Sequence, residues 1–198
     1  MKQYYCEKCK RFLADRYLLG TCPLCGHKPA RGDQCENCGK QYNSIELKDP
    51  MCSLCQSTPI IKESEHVFIN LPKIQPLLKP WLDEATKDGK WSANAEKFSY
   101  GLLKEGLKQR CITRDLKWGV QVPLEKFNEK VFYVWFDAPI GYLSITANLT
   151  KEWEKWWKNE DGDKIELIQF MGKDNTTFHS VMFPCTLLGT GQNWTLVD

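Results

Sequence analysis

Four pairs of cysteines, Cys6/Cys9, Cys22/Cys25, Cys35/Cys38 and Cys52/Cys55, share one spacing, Cys-x-x-Cys. Two residues between cysteines let both sulfurs of a tight turn reach one metal ion, and four thiolates satisfy the tetrahedral preference of zinc. The glycines after Cys25 and Cys38 allow the left-handed backbone that closes such a turn. A disulfide framework is the competing reading, but the opening "MKQYYCEKCK" has no apolar secretory core. Reduced thiols in a cytosolic protein mean metal. Eight cysteines therefore predict two closed, structural zinc sites that do no chemistry themselves. The gaps of nine to thirteen residues between pairs leave sequential, nested and crossed pairings all open.

A second group of chemically capable residues lies further along. "DAPIGY" (137–142) and "GKDNTTFH" (172–179) are polar, irregular segments, each following an apolar run. Asp174, after a glycine and before a helical pattern, has a carboxylate suited to a ribose hydroxyl pair. Trp135, Ala138, Pro139, Tyr142 and His179 would make a small apolar pocket with polar tips. Each also has a plainer explanation: Trp135 as core, Tyr142 as surface, His179 bonded to its own helix.

The elements that must position these groups follow from pattern. "HVFINLP" (66–72) alternates like a short strand, after which Pro72, Pro76 and Pro80 are expected to interrupt the chain. Ser92 can cap a helix over 92–106, with Ala95, Phe98, Leu102 and Leu103 at helical spacing. "VFYVWF" (131–136), "IELIQFM" (165–171) and "WTLVD" (194–198) read as strands buried on both faces. Thr150 precedes a helical segment with Trp153, Trp156 and Trp157 on one face, and a further helix runs to Gly189 with a kink at Pro184. The expected order is β-α-β-α-β, a right-handed parallel unit whose strand ends hold the ligand.

Composition marks two regions. Eight of ten cysteines fall between residues 6 and 55, and all eight tryptophans between 81 and 194. The formal charge is +2. Eight thiolates subtract eight and two divalent ions return four, giving −2, so no whole-chain basic footprint for nucleic acid survives. Two local patches remain, Lys8, Lys10 and Arg11, and Lys28 and Arg31. No stretch approaches the roughly 18 apolar residues of a membrane span, so a cytoplasmic protein without a membrane partner is expected.

"YVWFDAPIGY" with "FMGKDNTTFHSVMFP", preceded by "CITRD", by "SEH" and "NLP", and by the cysteine pairs, closely resembles the methionyl-tRNA synthetases, a family of class I aminoacyl-tRNA synthetases. The resemblance covers nearly the whole chain. It implies an α/β fold: the second half of a Rossmann-type catalytic domain with a parallel sheet, over 113–198, behind a zinc-knuckle insert over 1–62 and its remainder over 63–112. Relatives with one zinc keep only the pairs matching Cys22/Cys25 and Cys35/Cys38. The nested arrangement is thus implied, with Cys6, Cys9, Cys52 and Cys55 on the second zinc.

The resemblance further implies that methionine lies among Trp135, Ala138, Pro139, Tyr142, Asn175 and His179, and that Gly172 and Asp174 hold the ATP ribose. A thioether favours aromatic edges and accepts only weak hydrogen bonds, which Tyr142 could offer. The activity implied is ATP-dependent, magnesium-assisted activation of methionine and its transfer to tRNA. Many bacterial members have an aliphatic residue at the position of Asn175 and tryptophan at that of Phe183, so "KDN" resembles the eukaryotic cytosolic type. No His-Ile-Gly-His or Lys-Met-Ser-Lys-Ser signature occurs. The chain reads as an internal fragment, expected to be inactive alone and to self-associate through an unpaired sheet edge. A synthetase for a branched aliphatic amino acid would carry a larger insert. A zinc-ribbon module for nucleic acid or protein would interleave basic and aromatic residues on one exposed face.

Overall fold

The computed structural model describes residues 1–198 apart from Asp33, Gln41, Gly89 and 159–164, and of Asp15 the backbone alone. The chain forms two compact units, each built from two separated segments: 1–67 with 113–132, and 68–112 with 133–198. No helix among the described residues is long and apolar enough to cross a membrane.

The first unit consists of small antiparallel sheets. β1 (Lys2–Cys6) is flanked by β2 (Arg11–Phe12) and, later in the chain, by Ile60–Glu63; β3 (Leu18–Thr21) pairs with β4 (Ala30–Arg31) and β5 (Lys48–Cys52). The Ile60–Glu63 strand is β6. The core is Tyr4, Leu13, Leu18, Ala30 and Leu47 together with Cys6, Cys22, Cys35 and Cys52. Four of nine core residues are thus thiols, and the first cysteine of every pair is the buried one. So small an apolar set cannot hold a fold by burial alone. Gly20 permits the close approach of β3 to β5: a Cβ there would lie 2.6 Å from the Lys48 carbonyl oxygen.

A buried polar network closes this unit. The Asp115 carboxylate accepts from Gln3 Nε2 at 3.0 Å and Ser64 Oγ at 2.9 Å, and pairs with His66 Nε2 at 3.0 Å and with Lys130. His66 Nδ1 meets the Thr113 hydroxyl at 2.9 Å, and the Val67 amide donates to that same oxygen. Desolvation would push the Asp115 carboxyl up; the hydrogen bonds from His66, Lys130 and Ser64 outweigh it and hold the group well below the carboxylate range. The strands Thr113–Arg114 and Val131–Phe132 pair antiparallel beside this network.

In the second unit, β7 (Phe68–Ile69) pairs with β8 (Arg110–Cys111). Between them lie α1 (Leu71–Ala85) and α2 (Ala93–Glu105). The three prolines do not interrupt α1, contrary to the sequence expectation. Pro72 sits in the first turn, where no amide partner is needed, and Pro72, Pro76 and Pro80 all face solvent. The carbonyls they orphan, those of Pro72 and Pro76, are on that wet face, while Leu71, Leu78 and Leu82 are buried opposite. Ser92 caps α2 as expected, its Oγ accepting from the Ala95 amide at 3.3 Å. The buried pair on α2 is Ser99 and Leu103, whereas Phe98 is exposed.

The expected strands change most. Only Val131–Phe132 of "VFYVWF" is a strand; Tyr133 begins a turn into α3 (Val134–Asp137), followed by α4 (Ile140–Leu149) and α5 (Trp153–Trp157). Segments 165–171 and 194–198 are assigned to no strand and form no parallel ladder; they meet where the Asp198 amide donates to the Leu167 carbonyl at 3.1 Å. Every ladder among the described residues is antiparallel. A strand buried on both faces needs neighbours on both edges, and among the described residues no strand flanks these segments; Ile168 and Phe170 are exposed. Trp153 and Trp157 share the inner side of α5, and Trp156 points outward. The segment 165–188 leads through a 3₁₀ turn (Lys173–Asn175) and a π-helix (Phe178–Met182) into α6 (Phe183–Leu188), which stops at Gly189 as expected. Pro184 lies in the first turn of α6 after the π-turn, so its missing amide is accommodated there.

Candidate metal centres and aromatic pocket

Three of the four cysteine turns are closed by the same backbone bond. The amide four residues after the first cysteine donates back to its carbonyl: Gly26 to Cys22 at 3.1 Å, Gly39 to Cys35 at 2.8 Å, Gln56 to Cys52 at 2.8 Å. That fourth residue has positive φ in all four turns, at Lys10 (50°), Gly26 (73°), Gly39 (68°) and Gln56 (59°). Two turns therefore use glycine, the signal visible in the sequence, and two force a side chain into the left-handed region. Amides then point at sulfur: Cys9 N to Cys6 Sγ at 3.3 Å, Leu24 N to Cys22 Sγ at 3.4 Å.

The turns bring eight thiols together in two groups. Cys6, Cys9, Cys52 and Cys55 form one, Cys22, Cys25, Cys35 and Cys38 the other, with the sulfurs of each within 4.8 Å of one another. Cys6 Sγ lies 3.4 Å from Cys55 Sγ, Cys25 Sγ 3.6 Å from Cys35 Sγ, and Cys9 Sγ 4.0 Å from Cys52 Sγ. Sulfurs around a tetrahedral ion with bonds of about 2.3 Å stand roughly 3.8 Å apart, so both groups fit zinc. One thiol of the inner group is held low and two of the outer, Cys55 and, through Ser57, Cys6. The His27 amide holds Cys25 down to about 6, and the hydroxyl and amide of Ser57 hold Cys55 down to about 6. Cys9, hydrogen-bonded to Cys55, is pushed up to about 12. Ser57, 3.2 Å from Cys6 Sγ and 3.0 Å from Cys55 Sγ, is a participant that spacing analysis missed.

In the second unit the structure gathers part of the expected pocket. The Tyr142 hydroxyl on α4 lies 2.7 Å from His179 Nε2, and His179 Nδ1 lies 2.9 Å from the Asn175 carbonyl oxygen. A carbonyl can only accept, so Nδ1 carries a proton, and in the neutral ring Nε2 accepts from Tyr142. The π-helix carries His179 together with Phe178, whose ring tilts against Trp135 at 6.0 Å, and Tyr142 packs on Phe183 at 5.9 Å. Arg110 lies over the Trp135 ring at 5.1 Å. Phe178 and Arg110 carried no signal in the sequence. Ala138 and Pro139 join α3 to α4 beside Trp135 and Tyr142 in the chain. Gly172 opens the 3₁₀ turn, its carbonyl accepting from the Asn175 amide at 2.9 Å, and Asp174 is exposed there.

The family described as tRNA synthetases class I (M) matches residues 1–198. A cytoplasmic methionine–tRNA ligase of Arabidopsis thaliana is 58% identical over 199 residues, all of this chain and 25% of that protein. The Homo sapiens cytoplasmic methionine–tRNA ligase is 55% identical over 198 residues, all of this chain and 22% of that protein. The chain thus spans about a quarter of the length of the curated relatives it matches. Among solved structures, Mycobacterium tuberculosis methionyl-tRNA synthetase in complex with methionyl-adenylate shares the fold, with a TM-score of 0.59 at 20% identity over all of this chain and 32% of that one. Its apo form gives 0.57 at 19% identity, again over all of this chain and over 33% of that one.

Proposed function

Because this chain belongs to the class I tRNA synthetases of the methionine group, we propose that the protein carrying it is a cytoplasmic methionine–tRNA ligase. It activates methionine with ATP and magnesium and passes the methionyl group to tRNA. The observation that carries this reading is the unbroken family match over all 198 residues. The local geometry agrees with it. Tyr142, His179, Trp135 and Phe178 offer an aromatic surface with a single ordered polar pair, suited to an apolar, polarizable thioether.

Several assignments follow. Trp135, Ala138, Pro139, Tyr142, Asn175 and His179 hold methionine, and Gly172 and Asp174 hold the ribose of ATP. Tyr142 donates its hydroxyl hydrogen bond to the neutral His179 ring, so it meets the thioether with ring edge and oxygen. This differs from the weak hydrogen bond to sulfur expected of it from sequence. Cys22, Cys25, Cys35 and Cys38 hold one structural zinc and Cys6, Cys9, Cys52 and Cys55 another. The ions supply cohesion that the small core lacks.

The test is a chimera in which this chain replaces its counterpart in the Arabidopsis thaliana relative. Methionine-dependent exchange of pyrophosphate into ATP is expected to stay within about tenfold of the parent, a difference of about 1.4 kcal/mol. A folded, metal-loaded chimera with no exchange overturns the reading.

A further inference from the structure

Among the described residues of the second unit, only two serine, threonine, amide or charged side chains are buried, Ser99 at 0% and Ser180 at 2% exposure. They find each other. The two hydroxyl oxygens lie 2.7 Å apart, although 81 residues separate them in the chain. Ser99 sits on α2, in the stretch read from sequence as the remainder of the insert. Ser180 sits in the π-helix that also carries His179.

Each hydroxyl also has a bond within its own element. Ser99 Oγ lies 2.7 Å from the Ala95 carbonyl oxygen, and Ser180 Oγ lies 2.8 Å from that of Thr176. Such a back-bond is the ordinary way for a serine inside a helix to be satisfied. The contact between the two oxygens goes beyond that local need and ties one element to the other. Leu103 of α2 and Val181 and Met182 of the π-helix belong to the same apolar core. A buried hydroxyl pulled from its partner there is strongly penalised, so the contact resists sliding of either element.

The tie falls where it governs the aromatic pocket. His179 and Ser180 are consecutive, and their side chains reach back to consecutive carbonyls, those of Asn175 and Thr176. A π-turn winds more loosely than an α-helix, and rewinding it would swing His179 away from Tyr142. Ser99 braces that loose turn from a separate element.

We propose that Ser99 is a positioning residue for the amino-acid pocket. Through Ser180 it holds the π-turn in register, so that His179 keeps Nε2 on Tyr142 and the pair faces the methionine side chain. A helix of the insert thereby takes part in selecting the amino acid without touching it. The identity of the substrate rests on the ligase reading above, whereas the brace rests on the hydroxyl contact alone.

Pyrophosphate exchange in the chimera is one half of the experiment. Ser99→Ala should raise KM for methionine about fivefold or more and leave kcat within about twofold, the pattern of lost ground-state binding. Ser180→Ala severs the same contact from the other side, and serves where Ser99→Ala does not fold. The double variant should be no worse than the weaker single one, because the two share one bond. On top of Tyr142→Phe, Ser99→Ala should change KM by less than about twofold, since it acts through the His179–Tyr142 pair; a general loss of stability would act in full.

The other half needs no substrate. Nitrogen-15 spectra of the imidazoles are recorded on the zinc-loaded 198-residue chain at about pH 8, above the usual histidine range. His179 should show Nδ1 protonated and Nε2 bare in the parent. Ser99→Ala should mix the two tautomers while leaving His27 and His66 unmoved. Unchanged His179 signals overturn the proposal, as do KM effects of Ser99→Ala and Tyr142→Phe that multiply. Altered His179 signals beside a chimera without exchange leave the brace standing and sink only the ligase reading.

Discussion

The Tyr142 hydroxyl and His179 Nε2 stand 2.7 Å apart, and the far side of the imidazole is tied to the Asn175 carbonyl at 2.9 Å. With a neutral imidazole, Nδ1–H donates to that carbonyl and Nε2 accepts from the Tyr142 hydroxyl. Tyr142→Phe leaves Nε2 without its donor, a loss of about 1–3 kcal/mol where water cannot substitute. In the chimera, KM for methionine should rise about tenfold with kcat little changed, since the loss falls on ground-state binding. Steady-state exchange kinetics check this, and a fall in kcat alone would contradict it.

The two thiol groups predict two zinc ions per chain by elemental analysis. The pairing is read from combinations of substitutions. Cys6→Ser with Cys55→Ser should lose one ion, as Cys6→Ser does alone, because both belong to one group. Cys6→Ser with Cys22→Ser should lose both. Equal losses in the two double variants would break the nested arrangement.

Asp115 predicts the acid limit of the first unit. Its folded pKa lies below its unfolded value near 4. Its stabilisation is therefore present above about pH 4 and is lost as pH falls from there. Asp115→Asn should cost about 3 kcal/mol at pH 7, because it leaves His66 and Lys130 facing no charge. Urea unfolding of both proteins from pH 7 downward should show the gap closing in acid. Acid also strips metal from both, so the difference between them is the measured quantity. A gap that does not vary with pH would refute the assignment.

Gln56 holds a left-handed backbone with φ of 59° where the inner turns use glycine. Gln56→Gly should raise stability by about 0.5–1 kcal/mol, the relief of side-chain strain less the added chain entropy. The midpoint of urea unfolding in the zinc-loaded chain is the readout. Gly26→Gln should move it the opposite way.

The run 165–171, which belongs to no strand, exposes Phe170 at 93% and Ile168 at 63%. Apolar side chains exposed side by side favour association with another copy. Sedimentation velocity should show concentration-dependent association that Phe170→Asp reduces. A monomer at every concentration would count against it.

What could be read from residue types was whatever depends on local spacing. The cysteine turns, the Ser92 cap and the stop at Gly189 are set within four or five residues, and each is where pattern placed it. Two kinds of feature were illegible. Positive φ at Lys10 and Gln56 is imposed by the turn around the sulfur, against the preference of the side chain. The fate of "VFYVWF" and "IELIQFM" depends on neighbours that pair with them, and an apolar run does not reveal which neighbours exist. The π-turn at Phe178–Met182, which sets the direction of His179, likewise has no local marker. The prolines of α1 misled for a related reason. Their spacing of four puts them on one wet face, and helical wheel position decides their cost more than their number.

The chain passes from one compact unit to the other and back, at residues 67–68, 112–113 and 132–133. No single cut therefore releases either body whole. Severing after residue 62 would strand Gln3 from Asp115 and His66, and severing after residue 112 would divide both units at once. Each body has to wait for a distant stretch of polypeptide before it can close, so synthesis from the N-terminus leaves the cysteine-rich portion unfinished until residue 132 has emerged.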